Sequence, residues 1–364
     1  MSQIGLHHPL NEQVIFEKQG SSGHIRLNRP NALNSLTLPM VQAIAAALDN
    51  CAADPEIASV VILGNGERGF CAGGDIRALH NSGSNRTSYA QEFWQTEFLV
   101  NQVIANYPKP YLAIMDGITM GGGVGLSAHG NIRIVTERTR LAMPETGIGY
   151  FPDVGATWLL SRGDSEIGTY LGLTGVTVGA ADAILAGLAD YYVHSSDLPG
   201  LIDAISRMPS WISAEKIREE VIEFAISPPQ ARLEPYVDLI NRTFAFDKIE
   251  AIRAALRTED EAFAASTMQT LDSRSPTSLK LTLRLLRLGR TSSSLATCLD
   301  RELGACLQIL ETPDFYEGVR AAVIDKDRHP RWVPNALDAV DDNEITAFLR
   351  LPKIDAENIR HPLE

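Results

Sequence analysis

Twenty-four of the 28 glycines in this 364-residue chain fall within its first 195 residues, and only four in the 169 that follow. Charge runs the other way, with 28 charged residues in the first section and 49 in the second. Glycine permits tight turns and lets one backbone approach another, or a ligand, closely. Residues 1–195 therefore read as a layered, turn-rich core. Residues 196–364, glycine-poor and charge-rich, read as amphipathic helices. A hydrophobic content of 45% excludes disorder, collagen and coiled coil.

Local patterns fill in the core. Val14–Lys18 and His24–Leu27 flank Gly20-Ser21-Ser22-Gly23 and predict a hairpin. Ser35 or Thr37 can cap a helix running to about Asp49. Ser59–Leu63 is a buried-type strand, followed by a glycine-rich loop from Gly64 to Asp75 and a short helix. Ser88–Asn106 has helical periodicity. Tyr111–Met115, Ile132–Val135, Arg140–Ala142 and Tyr191–Val193 are strand-like, and Val178–Ala186 is a helix stopped by Gly187. Strand, strand, helix units thus recur roughly every 50 residues without a sequence repeat. Past Asp197 the pattern is helical, with breaks expected at Pro228-Pro229, Pro276, Gly289 and Pro313.

A net charge of −13, shared by both sections with no basic tract, argues against nucleic acid and against an anionic membrane surface. Met1–Gly20 carries Glu12 and Glu17 and lacks a basic and then apolar leader pattern, so neither a secretory signal nor an Arg-rich transit peptide is expected. Tyr111–Leu126 is the longest apolar stretch, but Asp116 and five glycines interrupt it, which excludes a span. Cys51, Cys71, Cys298 and Cys306 have neither disulfide-framework nor metal spacing, and a cytoplasmic location is expected. No metal site is expected either: the histidines are scattered, with only His7-His8 adjacent. Two matches to the dinucleotide fingerprint, Gly64–Gly69 and Gly123–Ala128, lack the long crossover helix such a site needs. Ser127 lacks the second glycine of a nucleophile elbow, and His129 reads as structural.

Two glycine clusters carry chemistry. Ala72-Gly73-Gly74-Asp75 and Met120-Gly121-Gly122-Gly123 each lie between a strand and a short helix. The first N–H groups of a helix have no internal partner. If the two turns face each other, they offer two converging donors to an enolate or tetrahedral oxyanion; otherwise they are simply tight turns. Glu145 and Asp153 follow in a Gly/Pro-rich, largely apolar loop. Desolvation there would raise their pKa values and suit one of them to act as base or nucleophile; the alternative is a capping or surface pair. Glu97, flanked by Phe93 and Asn101 at i−4 and i+4, is either a third inward carboxylate or a rim residue.

Taken together, Arg29-Pro-Asn-Ala-Leu-Asn34, Phe70-Cys-Ala-Gly-Gly-Asp-Ile76, Ile118-Thr-Met-Gly-Gly-Gly-Val-Gly125 and Met143-Pro-Glu145 resemble the enoyl-CoA hydratase/isomerase (crotonase) superfamily. Glu145 followed by Phe151-Pro-Asp153-Val-Gly155, with Ser275-Pro-Thr-Ser-Leu-Lys280 and Glu317–Asp327, is similar to its 3-hydroxyisobutyryl-CoA hydrolase branch, and the likeness runs from about Val14 to about Leu337. The resemblance implies an α/β fold, a spiral of ββα units with two near-perpendicular sheets. A helical extension over 196–364 would pack on the 1–195 core and cover the acyl pocket. It implies that the Gly74 and Gly122 amides form an oxyanion hole for an acyl-CoA thioester and that Glu145 is the catalytic carboxylate. Asp153 would be its partner near the 3-hydroxyl or the attacking water, and Glu97 and Gly121 would line the substrate. The adenine and phosphate end would lie along Arg29, Ala32, Gly73, Asp75 and Ile76, with Arg26, Arg77 or Lys109 as candidate counter-charges.

The resemblance further implies no cofactor, coenzyme A being part of the substrate, and hydrolysis of 3-hydroxyisobutyryl-CoA in valine catabolism. Typical hydratases of the superfamily carry a second glutamate where this chain has Gly125, so hydration is disfavoured. Two other readings stay open, an enoyl-CoA hydratase or isomerase and a non-catalytic acyl-CoA-binding protein, as does assembly into a homo-oligomer.

Overall fold

Beyond the N-terminal hairpin, successive strands alternate between two sheets. The computed structural model describes residues 12–349, so the His7-His8 pair and the first residues of Met1–Gly20 lie outside the described residues. Strands β1 (Val14–Gln19) and β2 (Ser22–Leu27) form the expected hairpin, with Val14 opposite Leu27. Helix α1 (Leu38–Ala53) follows, capped by Thr37, whose Oγ1 accepts from the Met40 N–H at 3.4 Å. Next come β3 (Ser59–Gly64), β4 (Gly69–Cys71), and helices α2 (Ile76–Asn85) and α3 (Tyr89–Ala105). Then come β5 (Tyr111–Met115), β6 (Ile118–Met120), α4 (Gly122–Ser127), β7 (Ile132–Val135) and β8 (Arg140–Ala142). Short helices α5 (Ala156–Leu159), α6 (Ile167–Thr174) and α7 (Ala180–Leu185) lead to β9 (Tyr191–Tyr192).

The larger sheet has the order β1-β2-β3-β5-β7-β9 and the smaller one β4-β6-β8. Every pairing after the hairpin is parallel. Each circuit of the chain thus lays one strand in the large sheet and one in the small, then crosses by helix. This is the ββα spiral expected from the resemblance. Strands β4 and β6 are missing from the pattern reading because three residues beside glycines carry no readable period.

The large sheet is buried on both faces. Alternate side chains divide accordingly, Val60, Ile62 and Ala113 joining one apolar cluster and Val61, Leu63, Leu112 and Ile114 the other. This double burial is why the central strands read as continuous apolar runs rather than alternations. Helices α8 (Leu198–Arg207) and α9 (Ala214–Phe224) cover the second face through Leu201, Ile205, Ile217 and Val221.

The remaining helices are α10 (Val237–Phe244), α11 (Ile249–Arg257), α12 (Ala262–Asp272), α13 (Pro276–Thr291), α14 (Leu295–Ile309), α15 (Pro313–Val319) and α16 (Asp342–Phe348). Leu285 of α13, Leu299 of α14 and Phe315 of α15 enter the same cluster as Ile44, Phe93 and Val124 of the core. Pro276 and Pro313 open helices as expected. Gly289, expected as a break, instead lies inside α13. A Cβ there would stand 2.1 Å from the Thr157 carbonyl oxygen, so this glycine allows α13 to press on α5 rather than ending a helix. Among the described residues no helix is long and apolar enough to cross a membrane.

Candidate active site

The two glycine turns face each other. The Leu36 N–H donates to the Gly73 carbonyl at 2.8 Å and the Asp75 N–H to the Leu36 carbonyl at 2.8 Å, fixing the first turn. A Cβ on Gly73 would lie 3.2 Å from the Gly122 nitrogen, and one on Gly122 would lie 3.4 Å from the Gly74 nitrogen. The Gly74 N–H has no hydrogen-bond partner among the described residues, and Gly122 opens α4, where an N–H has no partner inside the helix. Each glycine of the 121–123 run has its own reason. Gly121 has φ +50, and a Cβ there would lie 2.9 Å from Glu145 Oε1. A Cβ on Gly122 would lie 2.4 Å from Glu97 Oε1, and one on Gly123 2.3 Å from the Cys71 carbonyl.

Two carboxylates therefore border the second turn, and a third stands within electrostatic reach. Glu97, Glu145 and Asp153 are only 2%, 7% and 6% exposed. Glu97 projects from the buried stripe of α3, among Phe93, Trp94, Phe98, Val100 and Asn101, which answers the inward-or-rim question in favour of inward. Glu97 Oε1 and Glu145 Oε2 have no hydrogen-bond partner among the described residues. Burial pushes the Glu97 carboxyl well above the ordinary range, with Asp153 and Glu145 adding repulsion. Burial and then Asp153 do the same to Glu145. Asp153 is pushed up to about 7 by burial, against the pull of the Tyr150 hydroxyl that donates to it at 2.9 Å. Burial and mutual repulsion thus work against three charges in one cluster.

The helical C-terminal section holds the loop that carries Glu145 and Asp153. Cβ atoms on Gly149 and Gly318 would stand 2.0 Å from the Asp314 carbonyl oxygen and 2.2 Å from the Ile148 carbonyl carbon, so α15 lies directly against the 145–149 turn. Asp314 accepts from Ser275 Oγ at 2.6 Å and from the Val333 N–H at 2.7 Å. The Ser275 N–H in turn reaches the Thr146 carbonyl at 3.2 Å. Within Glu317–Asp327, Arg320 pairs with Glu317, Asp325 and Asp327. The two C-terminal motifs singled out in the sequence are thus built around the Glu145 turn.

Arg29 and Asp75 meet beside the first turn, with Gly73 and Ile76 near Asp75 in the chain and Ala32 in the short turn after Arg29. Arg29 pairs with Asp75 at 3.2 Å and also donates to the Ser35 carbonyl. Asp75 caps α2 by accepting from the Ala78 N–H, and Ala32 is exposed. Lys109 is not free as a counter-charge, because its ammonium donates to the Cys51 and Asp54 carbonyls at the C-terminal end of α1. Arg26 lies 3.8 Å from Glu17. Arg77, on α2, donates to the Val323 carbonyl and stays exposed. Ser127 is buried and donates to the Gly123 carbonyl. His129, lowered to about 4 by burial, is neutral and donates to the Val154 carbonyl at 2.7 Å.

Position 125 explains the missing second glutamate in physical terms. A Cβ on Gly125 would stand 2.7 Å from Val154 Cβ and 2.8 Å from Asn101 Nδ2. Asn101 is fully buried and both of its amide atoms lack partners among the described residues. Its place in an apolar stripe, one turn from Glu97, was the available signal that it borders the site. Gly125→Glu is therefore expected to cost folding stability, by more than the ~1–3 kcal/mol typical of overpacking, and to create no hydratase. A melting curve and a crotonyl-CoA hydration assay check this; a stable variant that hydrates crotonyl-CoA would contradict it.

A family model described as enoyl-CoA hydratase/isomerase matches residues 22–349. The chain is 41% identical over 341 residues to "3-hydroxyisobutyryl-CoA hydrolase, mitochondrial" of Xenopus tropicalis, covering 92% of this chain and 88% of that protein. Among solved structures it is similar to a carnitinyl-CoA dehydratase from Mycobacterium thermoresistibile, with TM-score 0.89 and 38% identity over 95% of this chain and 98% of that one. It is also similar to an enoyl-CoA hydratase from Rhodobacter sphaeroides 2.4.1, with TM-score 0.86 and 42% identity over 93% and 98%. The expectation of a cytoplasmic location is overturned by the mitochondrial hydrolase relative. Its basis was four unpaired cysteines, all buried here. Buried thiols report shielding from oxidants as much as compartment, so they could not carry that expectation.

Proposed function

The chain belongs to the enoyl-CoA hydratase/isomerase family, and from that membership we propose that it hydrolyses a short 3-hydroxyacyl-CoA thioester. The substrate of choice is 3-hydroxyisobutyryl-CoA, cleaved to 3-hydroxyisobutyrate and CoA in valine catabolism. One observation carries the reading over hydration. Asp153 stands within electrostatic reach of Glu97 and Glu145, which border the second glycine turn, while position 125 is closed by Val154 and Asn101. Water addition across a double bond needs groups delivering both hydroxide and proton, whereas thioester hydrolysis needs one base or nucleophile and a donor pair for the oxyanion. The hydrolase relative supports this choice; the dehydratase and the hydratase among solved structures point the other way, and the closed position favours hydrolysis.

In this reading the thioester carbonyl oxygen lies between the Gly74 and Gly122 N–H groups, which stabilise the charge that develops on it. Glu145 attacks the carbonyl or activates a water. Asp153 orients the 3-hydroxyl or that water. Glu97, kept protonated by its surroundings, donates within the acyl pocket. The CoA end runs along Arg29, Ala32, Gly73, Asp75 and Ile76, with Gly121 against the acyl group. Coenzyme A enters with the substrate, and no separate cofactor takes part.

The test is release of free thiol from 3-hydroxyisobutyryl-, 3-hydroxypropionyl- and acetyl-CoA, alongside hydration of crotonyl-CoA. Turnover of the two 3-hydroxyacyl thioesters, well above acetyl-CoA and without hydration, is expected. Substantial hydration would favour a hydratase, and no turnover at all a binding protein.

A further inference from the structure

A single face of α14 meets the segment that carries Asp153 on both of its flanks. On one side, the Asp153 carboxylate accepts from Tyr150 Oη at 2.9 Å, and Tyr150 Oη lies 2.8 Å from Cys306 Sγ. With the tyrosine O–H directed at the carboxylate, the cysteine S–H is the donor in the second contact. On the other side, Glu302, one turn before Cys306, accepts from the Gly155 N–H at 2.7 Å and from Thr157 through its N–H at 3.1 Å and its hydroxyl at 2.5 Å. Val154, between these anchors, has φ +54, a left-handed conformation that a β-branched residue adopts only when its surroundings impose it. His129 fixes the Val154 carbonyl as well.

Tyr150 is rigid in its own right. Its ring stacks on Phe151 at 4.7 Å and on Trp94 at 6.1 Å, with Phe315 at 5.9 Å. Glu302 and Cys306 are wholly buried, and both lie among apolar neighbours on α14. A buried carboxylate serves packing poorly, since burying such a group costs free energy unless it is bonded, and the thiol at i+4 lies within hydrogen-bond reach of Tyr150. Both are bonded here, and both bonds lead to the segment carrying Asp153.

We infer that Tyr150 and Cys306 are positioning residues for the hydrolysis, a hydrogen-bonded relay by which the C-terminal section orients the Asp153 carboxylate and sets its protonation. The inference rests on the hydrolase reading for its catalytic consequence and on the two hydrogen bonds for its geometry. Besides Tyr150 and Cys306, the ionisable groups facing Asp153 are Glu97 from α3, Glu145 from its own loop and Glu302 from α14. The hydroxyl of Tyr150 favours the charged form of Asp153 by donating to it. Removing it therefore raises the pH at which Asp153 ionises.

The full-length protein is assayed for kcat and KM across pH with the best thioester of the panel, as wild type, Tyr150→Phe, Cys306→Ala and Cys306→Ser. Difference infrared spectroscopy against Asp153→Asn follows the Asp153 carboxyl in the same proteins without substrate. Tyr150→Phe keeps the ring stack; it is expected to lower kcat by about 10-fold at neutral pH with KM little changed. It is also expected to move the Asp153 titration upward by about one unit. Cys306→Ala moves both in the same direction by less, and Cys306→Ser, whose hydroxyl can replace the thiol as donor, restores them. Loss of activity with an unmoved infrared titration, or an equal effect of serine and alanine at position 306, overturns the relay. If no thioester is turned over, the hydrolase reading fails while the infrared titration still decides the relay.

Discussion

Glu145→Gln is expected to lower kcat on the best thioester substrate by ~10³-fold or more, within or above the ~10²–10⁴ a positioned acid or base contributes. The folded protein should persist. No side-chain hydrogen bond ties Glu145 to another described residue, and the substitution conserves volume. Burial and the neighbouring Asp153 oppose ionisation of Glu145, so replacing a carboxyl by a neutral amide relieves repulsion and leaves the melting temperature equal or higher. A variant that keeps wild-type thioesterase activity would remove Glu145 from the chemistry and favour a binding protein.

The same residue permits two routes that give the same products. In one, Glu145 forms a mixed anhydride with the acyl group as the CoA thiolate leaves, and water then cleaves the anhydride. In the other, Glu145 takes a proton from the water that attacks the thioester. Single turnover in ¹⁸O-water, read by the mass of the Glu145 peptide, separates them when the anhydride opens at the glutamyl carbon. Label in the protein carboxylate marks the covalent route, and its absence argues against nucleophilic attack by that path. The pH dependence carries further information. Both routes need Glu145 as a carboxylate, and burial and then Asp153 oppose its ionisation, so activity should fall as the pH is lowered and Glu145 takes up its proton, and Asp153→Asn, which removes that repulsion, should move this limb to lower pH.

The ββα spiral was legible because its large-sheet strands are apolar runs and its helices have caps such as Thr37 and Asp75. Strands β4 and β6 escaped because each is three residues long beside a glycine. Gly289 was misread because a glycine demanded by the Thr157 carbonyl looks in sequence like one that ends a helix. Among site residues, Glu145, Asp153 and the glycine turns stood out because carboxylates in apolar loops and glycine runs before helices have few structural reasons to exist. Asn101, Glu302 and Cys306 did not, although each interrupts an apolar helical stripe. Their significance lies in which loop they meet, over 147 residues of separation for Glu302 and Gly155, and chain periodicity carries no information about that. Lys109 shows the converse, a cation that looks available until the helix end it serves is seen.

Gly122→Ala isolates the backbone contribution to the chemistry. Alanine is the better helix former by about 1 kcal/mol, and Gly122 lies in α4, so propensity alone would make the change stabilising. The methyl, however, would stand 2.4 Å from Glu97 Oε1, 3.2 Å from Leu36 Cδ1 and 3.4 Å from the Gly74 nitrogen. It therefore enters the space between the two N–H groups that the thioester oxygen needs. A loss of ~10²–10³ in kcat/KM is expected, the size of one missing oxyanion donor. CoA itself should bind with unchanged affinity in calorimetry, because the edge formed by Arg29, Asp75 and Ile76 belongs to the other turn. Gly123→Ala supplies the contrast. Its methyl would meet the Cys71 backbone carbonyl at 2.3 Å, which no side-chain rotation can relieve, so that variant should lose melting temperature rather than turnover selectively. A Gly122→Ala protein with wild-type kcat/KM would mean that the oxyanion is stabilised elsewhere, and the facing glycine turns would then be structural alone.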